Sequence, residues 1–148
     1  MNRFVSVVLH LARIALGVIF FYAGWIKVQE PADFARAVAN YQVLPYAWNY
    51  LVAATLPYVE LLAGTLLVLN RRVRPAALVI GSLNLVFILA LISVLARGLD
   101  IDCGCFDPSG QGHTTALEAL LRDLGLMVLV ILAWFSRERR SAASSSPD

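Results

Sequence analysis

Four long apolar runs dominate the alternation of hydrophobic and polar positions: about Val5 to Ile26, Tyr50 to Leu69, Pro75 to Ala96 and Leu117 to Phe135. A helix that crosses roughly 30 Å of hydrocarbon needs about 20 mainly apolar residues, and each run has that length. Within lipid a helix satisfies its own backbone donors and acceptors, so the pattern predicts an all-α integral membrane four-helix bundle. The fourth run is the least uniform, with Glu118, Arg122 and Asp123 in its first turns, where the membrane interface is expected. Pro75 opens the third run at a first-turn position, where a missing N–H costs nothing. The opening "MNR" resembles the basic start of a signal peptide. The run behind it is too long, contains His10 and Arg13 and leads to no small-residue cleavage site, so it is read as a retained span. The four spans make one membrane domain over residues 1–136, and residues 137–148 form a basic and then disordered cytoplasmic tail ending in "SAASSSPD".

Composition supports the same class. Hydrophobic residues make up 59% of the chain and charged ones 15%, with a mean hydropathy of +0.73, far more apolar than a soluble domain. The net charge of +2 is too small, and too poorly interleaved with aromatics, to argue for nucleic acid. Where the charges fall matters more. Arg3 precedes the first span, Arg71, Arg72 and Arg74 link the second to the third, and Arg137, Arg139 and Arg140 follow the fourth. Basic residues are retained on the cytoplasmic side, which puts both termini inside a bacterial inner membrane. The mixed-charge segment after the first span and the acidic segment after the third then face outward.

That acidic segment, "LDIDCGCFDPSG", holds both cysteines, Cys103 and Cys105, with Gly104 between them and Asp100, Asp102 and Asp107 around them. Outside the membrane an oxidised pair can persist. A bridge across one residue closes too small a ring to stabilise a fold through loop entropy. Strain in such a ring raises its reduction potential, and Gly104 tolerates the backbone angles it demands. The pair therefore reads as an exchangeable disulfide. Two other readings stay beside it: a minor structural staple, and a soft-metal site made by Cys103, Cys105 and His113.

The spans also carry costly polar groups, which usually face the bundle interior. His10, Arg13, Gly17 and Gly24 share one face of the first span, and Pro57, Glu60 and Gly64 share one face of the second. From their depths a buried Arg13–Glu60 ion pair is expected, with Gly17 and Gly64 letting the backbones approach. Asn84 is expected to make an interhelical hydrogen bond, and His10 to be a satisfied bundle histidine. Lys27, at the outward end of the first span beside Trp25, reads as a snorkelling interfacial lysine. It is also placed to favour a thiolate or to pair with Asp123. Phe20, Phe21, Tyr22 and Trp25 are candidates to line a pocket for a lipid-soluble quinone, although aromatics at this spacing are more often simple packing.

The stretches "ARIALGVIFFYAGWIKV", "DFARAVANYQVLP" and "LPYVELLAGTLLV" resemble the DoxX-like membrane proteins, and "LDIDCGCF" with "LRDLGLMVLV" resembles their methylamine-utilisation MauE branch. The resemblance runs over about residues 10–132, and its most specific element is the CGCF segment. Arg13, Gly17, Gly24, Lys27, Pro45, Glu60, Gly64, Cys103, Gly104, Cys105, Arg122 and Asp123 match its pattern. The chain departs from it after Phe106, where Asp107 and a longer "DPSGQGHTT" stand in place of glycine. The resemblance implies a four-helix membrane protein working with a periplasmic thioredoxin-like partner in maturing a disulfide-rich dehydrogenase subunit. Cys103 and Cys105 would then cycle by mixed-disulfide exchange. A non-catalytic membrane anchor for a redox partner and a soft-metal binding protein are the alternatives.

Overall fold

The computed structural model describes residues 3–99 and 115–144, with residues 136–144 described by their backbone alone. It is all helical there: α1 (Arg3–Gln29), α2 (Pro31–Asn40), α3 (Tyr46–Val68), α4 (Val73–Ala96) and α5 (Ala116–Ser144). Among the described residues, α1, α3 and α4 are long and apolar enough to cross a membrane. The fourth expected span lies on α5, where Glu118, Arg122 and Asp123 interrupt the first two turns. The helix continues past Phe135 to Ser144, through the first part of the basic tail.

The long helices pack side by side: α1 against α3 and α5, and α4 against α5 and α3. Leu16 and Phe20 of α1, Ala63 and Leu67 of α3, Ile80 of α4, and Leu126, Val130 and Ala133 of α5 form one continuous buried cluster. The outer faces stay apolar, with Phe4, Leu11, Leu62, Val86 and Leu121 all exposed. That inversion of the usual soluble pattern is what a hydrocarbon surround demands.

The apolar runs do not announce α2. Its start is nonetheless written locally: Pro31 sits in the first turn, where its fixed φ suits a helix, and Asp33 lies where the N-terminal dipole favours an acid. Its apolar residues recur at helical spacing, burying Phe34 and Ala35 against Ala53 and Leu56 of α3, with Ala37 buried as well. Arg97, just past α4, donates to the carbonyl oxygen of Tyr41 at 2.6 Å and so ties the end of α2 to the end of α4.

A four-residue link joins α3 to α4. Asn70 (φ 57°) and Arg72 (φ 48°) take the left-handed conformation, which asparagine tolerates better than most side chains. At the start of α5, Thr115 and Glu118 exchange hydrogen bonds, each backbone N–H donating to the other's side chain at 3.3 Å. This reciprocal cap satisfies two helix-end donors. Thr115→Ala should lower the midpoint of thermal unfolding by the equivalent of about 1 kcal/mol, measured by circular dichroism in detergent. An unchanged midpoint would show that the cap adds nothing.

Candidate functional site

Antiparallel packing of α1 on α3 builds the site. A Cβ added at Gly17 would lie 2.9 Å from the Gly64 carbonyl oxygen, and one at Gly24 would lie 2.8 Å from that of Pro57. Glycine at these points therefore lets the two backbones touch. The crossings fix the register: Gly17 stands opposite Gly64, and Gly24 opposite Pro57.

Side chains on a helix lean toward its own N-terminus. On two antiparallel helices, Lys27 leans down from the end of α1 and Glu60 leans up along α3, and they converge at the Gly24–Pro57 level. The Lys27 Nζ donates to both carboxylate oxygens of Glu60, at 2.8 and 2.9 Å. Both residues are fully buried, at 2% and 1% exposure. Phe34 of α2 and Phe87 of α4 cover the ammonium, their ring centroids 5.0 and 5.4 Å from Nζ. A desolvated cation over aromatic faces gains cation–π stabilisation in addition to its ion pair.

This arrangement corrects two expectations. Lys27 does not snorkel to the interface, because α2 folds over it and Glu60 neutralises it. Nor does Glu60 pair with Arg13. In the observed register Arg13 stands opposite Val68, eight residues or about 12 Å of helix rise from Glu60, and it leans the other way. Its Nη1 instead donates to Asn70 Oδ1 in the α3–α4 link. Cα depth alone puts the two residues within roughly one helical turn of each other, but side-chain lean and the glycine crossings separate them.

Facing the pair across a cavity is a second set of polar groups from α4 and α5. Asn84 donates to the backbone carbonyl of Asp123 at 2.8 Å, the interhelical bond expected of it. The Asp123 carboxylate is buried and takes Arg122 Nη2 at 3.2 Å rather than Lys27. Its other oxygen, Oδ2, has no hydrogen-bond partner among the described residues. Lys27, Glu60, Asn84, Arg122 and Asp123 all line a cavity of about 30 Å³, whose apolar walls include Phe20 and Leu126. That volume holds one or two waters, which suits an unpartnered carboxylate oxygen. The site thus gathers two cations and two carboxylates around one small cavity, balanced in formal charge.

The aromatic residues of α1 part company. Phe20 is buried and lines this cavity, whereas Phe21 stacks on Trp25 with ring centroids 6.5 Å apart, and both are exposed, as is Tyr22. They do not line one pocket together. Pro45 caps the start of α3 with extended backbone. His10 is half-buried on α1. Cys103, Gly104, Cys105 and His113 lie outside the described residues. Three contributors went unremarked in the sequence. Asn70 was signalled by its place before a basic turn, and Phe34 by the apolar spacing of "DFARAV". Phe87 gives no local signal, since α4 is apolar all round.

Fold and site define a multi-pass helical membrane protein with an ionic site buried between its helices. The chain belongs to the methylamine utilisation protein MauE family, whose model matches residues 5–136. It is 37% identical over 125 residues to the methylamine utilization protein MauE of Paracoccus denitrificans, covering 84% of this chain and 67% of that protein. No solved structure matches the chain.

Proposed function

We propose that the protein is the membrane component of an extracytoplasmic thiol-disulfide exchange system, acting with a periplasmic thioredoxin-like partner during maturation of disulfide-containing proteins. By likeness to the relative's name, the client is a protein of methylamine utilisation. The observation that supports the reading is the placement of the two described ends that flank residues 100–114. Leu99 before them and Ala116 after them both pack in the cluster built on Tyr41, Leu91, Val94 and Ala119. These two described residues, which flank the Cys103–Gly104–Cys105 motif in sequence, therefore both pack beside the end of α2, the helix whose Phe34 covers Lys27.

In this reading four spans cross the inner membrane, with both termini cytoplasmic and the cysteine segment outward. The exposed Trp25, Tyr46, Trp48 and Tyr50 at that end suit the membrane–water boundary. A cysteine thiolate attacks a partner disulfide, forming a mixed disulfide and releasing one partner thiolate. The second cysteine then attacks the mixed bond, leaving the pair oxidised and the partner a dithiol. Two electrons pass in each exchange, and the reverse sequence transfers them back. Continued turnover requires a second redox partner, either another outward protein or a lipid-soluble quinone. The Lys27–Glu60 pair and the Arg122–Asp123 pair position the helices around the site.

Replacing Cys105 with serine should trap a reductant-sensitive adduct with a periplasmic thioredoxin-fold protein, visible on non-reducing gels and absent when both cysteines are replaced. In intact cells a membrane-impermeant thiol reagent should label the wild type only after reduction. Labelling that requires permeabilised cells would overturn the outward placement. Function that survives loss of both cysteines would assign the protein to anchoring, and metal that is retained until Cys103 and His113 are replaced would assign it to metal binding.

A further inference from the structure

We propose that Asp123 is a proton-binding site, exchanging its proton with water in the cavity it shares with Lys27, Glu60 and Asn84. It stands on the α5 side of that cavity, its side chain only 5% exposed. Arg122 Nη2 and Nε both donate to Oδ1, at 3.2 and 3.3 Å, rather than one to each carboxylate oxygen. A guanidinium and a carboxylate ordinarily meet through two parallel bonds of about 2.7–2.9 Å, so this contact is long and one-sided. It leaves Oδ2 buried with no donor among the described residues. Glu60 differs, because each of its oxygens takes a Lys27 N–H, at 2.8 and 2.9 Å. Of the two carboxylates around the cavity, Asp123 is therefore the one with a vacant acceptor atom.

Size decides what can reach that oxygen. A cavity of about 30 Å³ admits water and excludes a metabolite, a lipid chain or a hydrated ion. The groups around Asp123 argue against a bare metal cation as well. α1 and α4 pack on α5; α1 brings the Lys27 ammonium to the cavity, and α4 brings Asn84 and Phe87, neither of which titrates. Glu60 of α3 is already bonded to Lys27. Asn84 donates to the Asp123 backbone carbonyl and so fixes the backbone at this residue. Arg122, next to Asp123 on α5, is 29% exposed, so the site reaches the protein surface there and a proton has a way in. The step moves a proton alone. A hydronium ion in the cavity gives its proton to Oδ2 and becomes water, Asp123 becomes a carboxylic acid, and no electrons pass. The formal charge of the site rises from zero to +1, and the reverse transfer restores it. Neither cysteine takes part, so the site is independent of the exchange chemistry proposed above.

Infrared spectroscopy of the full chain in lipid vesicles, stepped from alkaline to acid pH, tests this. A carboxylic acid removed from water gives a sharp, high-frequency carbonyl band, distinct from the broad band of aspartic acids at a surface. The wild type should gain one such band as the pH falls, and the band should shift when aspartate is supplied with carbon-13 in its side-chain carboxyl. Asp123→Asn, of nearly the same shape, should lose the band completely. Asp123→Glu serves where the asparagine variant does not fold: its acid band should persist without the aspartate isotope shift. A wild type that shows no such band at any pH at which it stays folded would overturn the proposal, as would a band that survives Asp123→Asn. A wild-type band without the isotope shift would overturn it too, by placing the proton on a glutamate.

Discussion

Lys27→Ala should cost the protein about 3–5 kcal/mol of stability, the penalty for leaving one member of a buried ion pair without its partner. Glu60 is 1% exposed, and its carboxylate receives both of its hydrogen bonds in this site from Lys27. With the ammonium gone, no other described cation makes an ion pair with it. The double variant Lys27→Met, Glu60→Met behaves differently. Two apolar side chains of similar length fill the space between Phe34 and Phe87, and removing both charges avoids the desolvation cost. Replacement of a whole buried pair is often neutral or stabilising. The unfolding midpoint of the double variant in detergent should therefore lie well above that of either single variant. If all three lose the same stability, the site is held by packing and the pairing of charge contributes nothing.

Gly64→Ala is the second large effect. A Cβ there would fall 2.7 Å from the Gly17 carbonyl oxygen and 2.7 Å from the Phe21 amide nitrogen, both backbone atoms that cannot rotate away. The α1–α3 contact must open, at a cost of roughly 1–3 kcal/mol for one overpacked methyl. Gly125→Ala supplies the control. Nothing lies within 4 Å of its Cβ position, and alanine is the better helix former, so this variant should gain slightly. Thermal unfolding of both variants, side by side, separates packing from propensity. A Gly64→Ala protein as stable as the Gly125→Ala protein would mean that the helices do not meet as closely as described.

The sequence made the helices legible because apolar length is a strong signal in lipid, and the glycine faces of α1 and α3 were legible because only small residues permit backbones to touch. The ion pair was half legible. Glu60 was correctly placed as a buried, paired residue, and the partner was misassigned. Depth was counted along the axes, whereas the register of two antiparallel helices and the lean of long side chains decide which groups meet. Lys27 was read by its position near a span end, and the helix that buries it was hidden in a segment whose mean hydropathy is low. α2 is amphipathic over ten residues, too short to stand out among runs twice its length. The Asn84–Asp123 link was anticipated on the Asn84 side alone, since a backbone acceptor leaves no mark on a sequence. The roles of Cys103 and Cys105 rest on their spacing and on the family to which the chain belongs.

The two helix seams are packed unevenly: α1 and α3 meet at the glycine crossings, whereas a cavity of about 310 Å³ lies between α4 and α5. Along α1 and α3, carbonyl meets glycine with no side chain between, and a seam of that kind has one arrangement. Along α4 and α5 the seam keeps unfilled space, and flexible side chains such as Met127 border it. Interiors respond to force by switching between packings rather than by stretching, so a change of shape in the bundle would be absorbed at α4 and α5 while α1 and α3 move as one body. In sequence Cys103 and Cys105 fall between those two helices, so the chain on either side of them belongs to the seam with unfilled space.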